Sequence, residues 1–170
     1  MKKKRIPEWK DVEGSRRQAQ QTALGSITSL TQALVELITN VDDAYERLNK
    51  PNKTYQGDCA IFYDRGGETR STTLKISDKA AGMDADKLYS VLKKHGDKIK
   101  SEGASRGFFA RGLLDVSSIA DVFIQTVKDK KISTGQIKYQ TFQYKIVDRD
   151  VPINKINQTI AKDIEGFDFQ

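Results

Sequence analysis

Between Ile27 and Lys50 the chain reads ITSLTQALVELITNVDDAYERLNK, with Leu34, Ile38, Val41, Tyr45 and Leu48 recurring at helical spacing. That stripe predicts a long amphipathic helix whose apolar side must be covered by other elements. Pro51 and Asn52 supply its stop. The segments that follow give the helix something to lie on. CAIFYD and TTLKIS read as two strands, and the RGGETR between them carries glycines for a tight connection. DADKLYSVLKK reads as a second helix, with Asp84 placed to cap it. HGDKIKSEGASRG is polar and basic and reads as a loop of the kind that covers a ligand. FFARGLLDVSS reads as a third helix. ADVFIQTVKD and GQIKYQTFQYKIVD read as two longer strands separated by a KKISTG turn. This order predicts an α+β two-layer sandwich, with helices on one face of a mixed, mainly antiparallel sheet.

A chain of 170 residues suits one domain with a sizeable core. Apolar residues at 37% and charged residues at 31% describe a globular composition and argue against disorder. No apolar run reaches bilayer length, and the basic start MKKKRIPEWK has no apolar segment behind it, so it is not a secretory signal. The single cysteine, Cys59, rules out an internal disulfide framework and points to a reducing, cytoplasmic setting. The net charge of +6 favours anionic partners without choosing among them. The sequence shows no regular aromatic and basic alternation that would make a nucleic-acid stacking platform. Residues 1–20 read as a basic extension and 21–150 as the folded unit. Residues 151–170 remain an unassigned segment, as if the chain continued into a longer protein.

The polar residues of the first helix are the candidates for chemistry. At 100° per residue, Glu36, Asn40 and Asp43 fall within roughly 60° of one another. Glu36 and Asn40 have no basic partner one turn on, whereas Asp43 has Arg47. An amide oxygen can ligate Mg²⁺ without adding negative charge beside phosphates, and a carboxylate can orient and deprotonate a water. A solvated helix face would carry the same residues.

Three segments in order resemble the boxes of the GHKL superfamily of ATP-binding domains, which includes gyrase B, heat-shock chaperones, sensor histidine kinases, MutL and the MORC proteins. The first box has the form E-L-x-x-N-x-x-D-A, matched by Glu36, Leu37, Asn40, Asp43 and Ala44. The second, D-x-G-x-G, corresponds to Asp78, Ala80 and Gly82, followed by Met83. The third is a glycine-rich helix start, corresponding to Gly107, Phe108, Phe109, Ala110, Arg111 and Gly112. Ala80 and Ala110 stand where the family carries glycine. The phrase SEGASRGFFARGLLDV is similar to the chaperone and MORC branches.

The resemblance implies the Bergerat fold, ATP and Mg²⁺ as ligands, and slow ATP hydrolysis. Glu36 would be the general base and Asn40 the Mg²⁺ ligand. Asp78 would hold the adenine amino group, with Gly82 and Met83 lining the base and Asp43 on the same wall. Ser105, Arg106, Gly107, Phe109, Ala110, Arg111 and Gly112 would surround the phosphates. It also implies lid closure, a homodimer formed on ATP binding, and a nucleic-acid or protein partner engaged through a downstream domain. Three other readings stay open: a nucleotide-binding switch with little hydrolysis, a protein kinase of the histidine-kinase branch, and a scaffold without nucleotide. The family's adenine-binding threonine has no clear equivalent: Thr126 and Thr141 lie on earlier strand candidates, and Thr159 sits in an unassigned segment. His95, the only histidine, falls in the lid region.

Overall fold

The computed structural model describes residues 7–12, 27–49, 57–93, 109–141 and 143–155. The lid segment, most of the basic extension, Ser105, Arg106, Gly107, His95 and Thr159 lie outside the described residues. The chain forms an α+β fold in which helices pack against a multistrand antiparallel sheet. A short strand β1 (Lys10–Asp11) precedes helix α1 (Leu30–Glu46), hairpin β2 (Cys59–Asp64) and β3 (Thr73–Asp78), and helix α2 (Ala85–Lys93). Helix α3 (Phe109–Val116) leads into β4 (Val122–Lys128), β5 (Lys131–Ile137) and β6 (Gln143–Pro152), which ends in a 3-10 turn at Ile153–Lys155. One sheet has the order β1-β6-β5-β4 and every pairing in it is antiparallel; β2 and β3 form a separate antiparallel pair. No described helix is long and apolar enough to cross a membrane.

The core lies between α2, α3 and one face of the four-stranded sheet. Leu88, Val91 and Leu92 of α2 meet Leu113, Leu114 and Val116 of α3 over Val122, Ile137 and Tyr144 of the sheet. Gly135 sits under this layer, where an added methyl group would lie 2.8 Å from Leu92 Cδ1. That close approach explains a glycine in mid-strand. It also corrects the expectation of a turn at KKISTG. Lys131–Ile137 is a full strand, and the turn falls at Asp129 and Lys130, both with positive φ (50° and 56°), as a two-residue hairpin requires. The presumed long strand GQIKYQTFQYKIVD is broken at Gln140, with φ 54°, and divides into the end of β5 and the first part of β6, which runs on to Pro152.

Helix α1 begins at Ser29, whose hydroxyl accepts from the Gln32 N–H (3.3 Å), an N-cap the sequence reading did not single out. Its inward face is also rotated from the expected one. Ile38 is 38% exposed, while Ala33, Asn40, Val41 and Asp43 are buried and Leu37 packs on the core. The reason is the neighbour: α1 lies against α3 and the end of β3, so its small and polar residues turn inward.

Helix α2 starts as expected at Asp84. The Lys87 N–H donates to Asp84 Oδ1 (2.8 Å), and Lys128 Nζ reaches Asp84 Oδ2 at 3.1 Å. A second carboxylate joins from β6: Asp150 Oδ1 accepts from the Ala85 N–H at 3.0 Å and from Ser133 Oγ at 3.2 Å. The Lys87 amide, and then Lys128, hold the Asp84 carboxyl below its ordinary range, and Asp84 raises Lys128. A depressed carboxyl pKa stabilises the fold above the unfolded value near about 3.9, and that contribution disappears as pH falls through the folded value. Asp84→Ala should therefore melt below the parent at about pH 7, with the gap narrowing in thermal melts taken down to about pH 2. A gap that stays constant across that window would contradict this role for the carboxylate.

Candidate functional site

The first helix places its polar residues inside the molecule. Asn40 is 5% exposed and Asp43 1%, although neither residue type is at home in a core. Asn40 Nδ2 and Asp43 Oδ2 are buried and have no hydrogen-bond partner. Buried polar atoms in native proteins are nearly always partnered, so such pairs of orphans mark a place where a ligand, ion or water belongs. Half a turn about χ2 exchanges the open end of the Asn40 amide between donor and acceptor. Asn40 can therefore present an oxygen to a metal ion.

Glu36 stands one turn earlier on α1, half-buried. Gly112 of α3 is its neighbour: a methyl group on Gly112 would lie 2.6 Å from Glu36 Oε2 and 3.6 Å from Asn40 Nδ2. The absence of a side chain at Gly112 thus lets α3 approach the two residues. Gly112 is in the first turn of α3, where backbone N–H groups lack intrahelical acceptors and the dipole favours negative charge. Phe109, Ala110 and Arg111 form the rest of that turn. Ala110 is helical, a conformation any residue adopts, so no glycine is required there.

The second segment is held to the first by Tyr45, a residue that periodicity assigned only to the apolar side. Its hydroxyl donates to the Asp58 carbonyl (3.1 Å) and accepts from the Lys79 N–H (2.9 Å), joining α1 to both ends of the β2–β3 hairpin. Its ring also lies where a side chain on Gly57 would have to go. Tyr45 follows Asn40 by five positions, about 7.5 Å along the helix. The Asp78 loop is therefore joined to the helix that carries the buried amide.

Within that loop Asp78 Oδ1 accepts from the Ala80 N–H at 2.9 Å, an Asx-type turn. Asp78 is exposed and faces Cys59 across the hairpin; burial, and then the Asp78 charge, push the Cys59 thiol up. Gly82 has φ +61°, and a Cβ there would overlap the Val127 carbonyl oxygen. Ala80 is absent from the residues with positive φ, so the alanine at that position carries no backbone strain. The Met83 N–H donates to Thr126 Oγ1 at 2.6 Å, and its side chain packs on the core. Thr126 is buried on β4, and no local signal distinguishes it from Thr141 or Thr159.

The fold thus brings Glu36, Asn40 and Gly112 together, ties the start of the Asp78 loop to the same helix through Tyr45, and holds Gly82 and Met83 against β4. Among the described residues, no three His, Cys, Asp or Glu side chains converge to hold a metal ion. A Mg²⁺ ion here would need to take its remaining oxygens from water and phosphate, which is its ordinary habit. No family model matches the chain, and neither a curated protein nor a solved structure matches it.

The glycine geometry gives a paired expectation. Gly82→Ala should lower stability by about 2–4 kcal/mol, combining a left-handed backbone with a collision at Val127. Ala80→Gly should cost less than about 1 kcal/mol, through the unfolded chain alone. Urea unfolding of both variants checks the contrast, and equal losses would overturn it.

Proposed function

We propose that the chain binds ATP with Mg²⁺ and hydrolyses it slowly, as a module of the GHKL type with the Bergerat arrangement. The observation that carries this reading is the pair of buried, partnerless atoms on Asn40 and Asp43 beside Glu36 and the first turn of α3. A purely structural helix face would not leave a carboxylate oxygen and an amide group inside the protein without partners.

In this reading the Asn40 amide oxygen ligates the metal, and Glu36 orients a water and takes its proton. Bound Mg²⁺ neutralises phosphate charge. The backbone N–H groups at the start of α3 receive phosphate oxygens, close to Glu36 because Gly112 has no side chain. Asp78 keeps Oδ1 on the Ala80 amide and offers Oδ2 to the adenine amino group. Gly82 and Met83, fixed against Thr126 and Val127, form the floor beneath the base. The ordinary φ of Ala80 removes the backbone argument for a crippled loop. Lid closure over the nucleotide and ATP-driven pairing of two copies belong to the same proposal.

Titration calorimetry with ATP and Mg²⁺ should show one site per chain, lost on chelation or in Asn40→Ala. Glu36→Ala should bind ATP within a few-fold of the parent while phosphate release falls by about 10²–10⁴-fold. Native mass spectrometry with a non-hydrolysable analogue reports the stoichiometry and any dimer. Absence of ATP binding, or phosphate release that survives Glu36→Ala, would reject the hydrolytic reading.

A further inference from the structure

The four-stranded sheet has a second face, directed away from α2 and the core. Phe123 lies on it, 69% exposed, and pairs across to Gln136, which pairs in turn with Lys145. Lys145 Nζ sits 4.4 Å from the centre of the Trp9 ring, just before β1. Between these residues is an open hollow of about 150 Å³ lined by Trp9, Asp121, Phe123, Gln136, Ile137 and Lys138. A cavity of about this size holds one benzene-sized ring. The lining supplies aromatic surface at two sides, an amide at the base and a lysine at the rim. Asp121 is already engaged, its Oδ1 accepting from the Tyr139 N–H at 2.8 Å.

The same edge of the sheet is basic. Around the corner on the helix side, Lys10 Nζ, Lys93 Nζ and Arg149 Cζ lie 5.5, 5.9 and 5.9 Å from the centre of one ring, Tyr89. Arg149 is paired with Asp86 at 2.6 Å, and Glu8 and Asp11 are the other acids nearby in the chain. The sequence also carries Lys2, Lys3, Lys4 and Arg5 shortly before Lys10. Several cations crowded together repel one another, and a polyanion laid along them relieves that repulsion.

We infer that this outer sheet face is a binding surface for single-stranded nucleic acid. One unpaired base enters the hollow and stacks on Phe123 and Trp9. Its flanking phosphates meet Lys138 and Lys145. Aromatic rings with adjacent lysines on an open antiparallel sheet are the elements of a sequence-tolerant single-strand platform. A duplex would keep its bases stacked inside and could not use the hollow. The site lies on the face opposite the core, whereas the candidate nucleotide loop docks at β4 through Thr126, so the inference stands apart from ATP binding.

Trp9 is the only tryptophan in the chain, so its fluorescence reports on the hollow directly. Titration of the full chain with a thymidine 20-mer at low salt should quench that emission. Phe123→Ala should weaken binding about 5- to 100-fold. Its ring is mostly exposed, so its removal leaves the core intact. Lys138→Ala with Lys145→Ala should flatten the salt dependence by about 1.4 in log–log slope. A control of equal charge, Arg65→Ala with Lys75→Ala on the β2–β3 hairpin, should not. Four results would each overturn the proposal: no quenching by the 20-mer, equal affinity for its duplex or for phosphatidylserine vesicles, unchanged binding in Phe123→Ala, or equal effects of both lysine and control pairs. If the cations serve only to guard a sheet edge, the lysine variant will aggregate without losing affinity, which also counts against it.

Discussion

The close approach of α1 and α3 at Gly112 is the contact on which the rest of the candidate site depends. Without a Cβ there, α3 can bring its first turn against Glu36 and Asn40. The approach turns the polar side of α1 inward and leaves Val35 and Ile38 partly in water. On transfer free energies alone that is the wrong way round. Burying an amide atom without a partner costs about 1–3 kcal/mol, and a carboxylate costs more. The helix holds this orientation because Ala33, Leu37 and Val41 share the inward side and join the packed interior. The apolar residues thus carry two polar ones into the protein, where their atoms stay unpartnered.

Side chains connect the remaining elements to this pair of helices. The β2–β3 hairpin has no ladder to the four-stranded sheet, yet the loop after it is fixed at four points. Tyr45 holds Lys79 from α1, Thr126 holds Met83 from β4, Asp150 holds Ala85 from β6, and Lys128 holds the capping Asp84. Three are backbone amides, and that of Ala85 opens a helix, where hydrogen-bond partners are otherwise missing. A loop pinned in this way can present Asp78 at a reproducible position although Asp78 itself is exposed. Positioning by a rigid surround is what a recognition carboxylate requires.

Several of these relations were visible in the sequence and others had no local signal. The long helix, the CAIFYD and TTLKIS strands, and the Asp84 cap follow from periodicity and capping chemistry, which act over a few residues. The inward turn of Asn40 and Asp43 depends on α3, about seventy positions away, so periodicity pointed Ile38 inward instead. The KKISTG segment was misread because Gly135 looked like punctuation. Its missing side chain in fact answers Leu92 of another element. The turn that does exist, Asp129 and Lys130, lacks the glycine that marks most two-residue hairpins. Thr126 and Tyr45 gained their roles from hydrogen bonds across 43 and 34 positions. The aromatic and basic residues of the outer sheet face are scattered from Trp9 to Lys145, which is why no alternation appears along the chain.

Strand β6 touches both ends of this arrangement. Asp150 caps α2 beside the Asp78 loop, and Lys145, a few residues earlier, borders the outer hollow. Coupling between two sites needs an element with two stable arrangements, and shared connection is not enough. The irregular part of the intervening ladder is the register shift between Ile132 and Gly135. There Thr134 Oγ1 donates to Asp148 Oδ2 at 2.6 Å and Ser133 Oγ donates to Asp150 Oδ1 at 3.2 Å. Both hydroxyls also accept from backbone N–H groups of the facing strand, at 3.1 and 3.0 Å. Those bonds replace what the bulge removes from the ladder, so the irregularity is a fixed bend and not a slack joint. The bend thus fixes how β6 runs from Lys145 on the outer face to Asp150 at the start of α2.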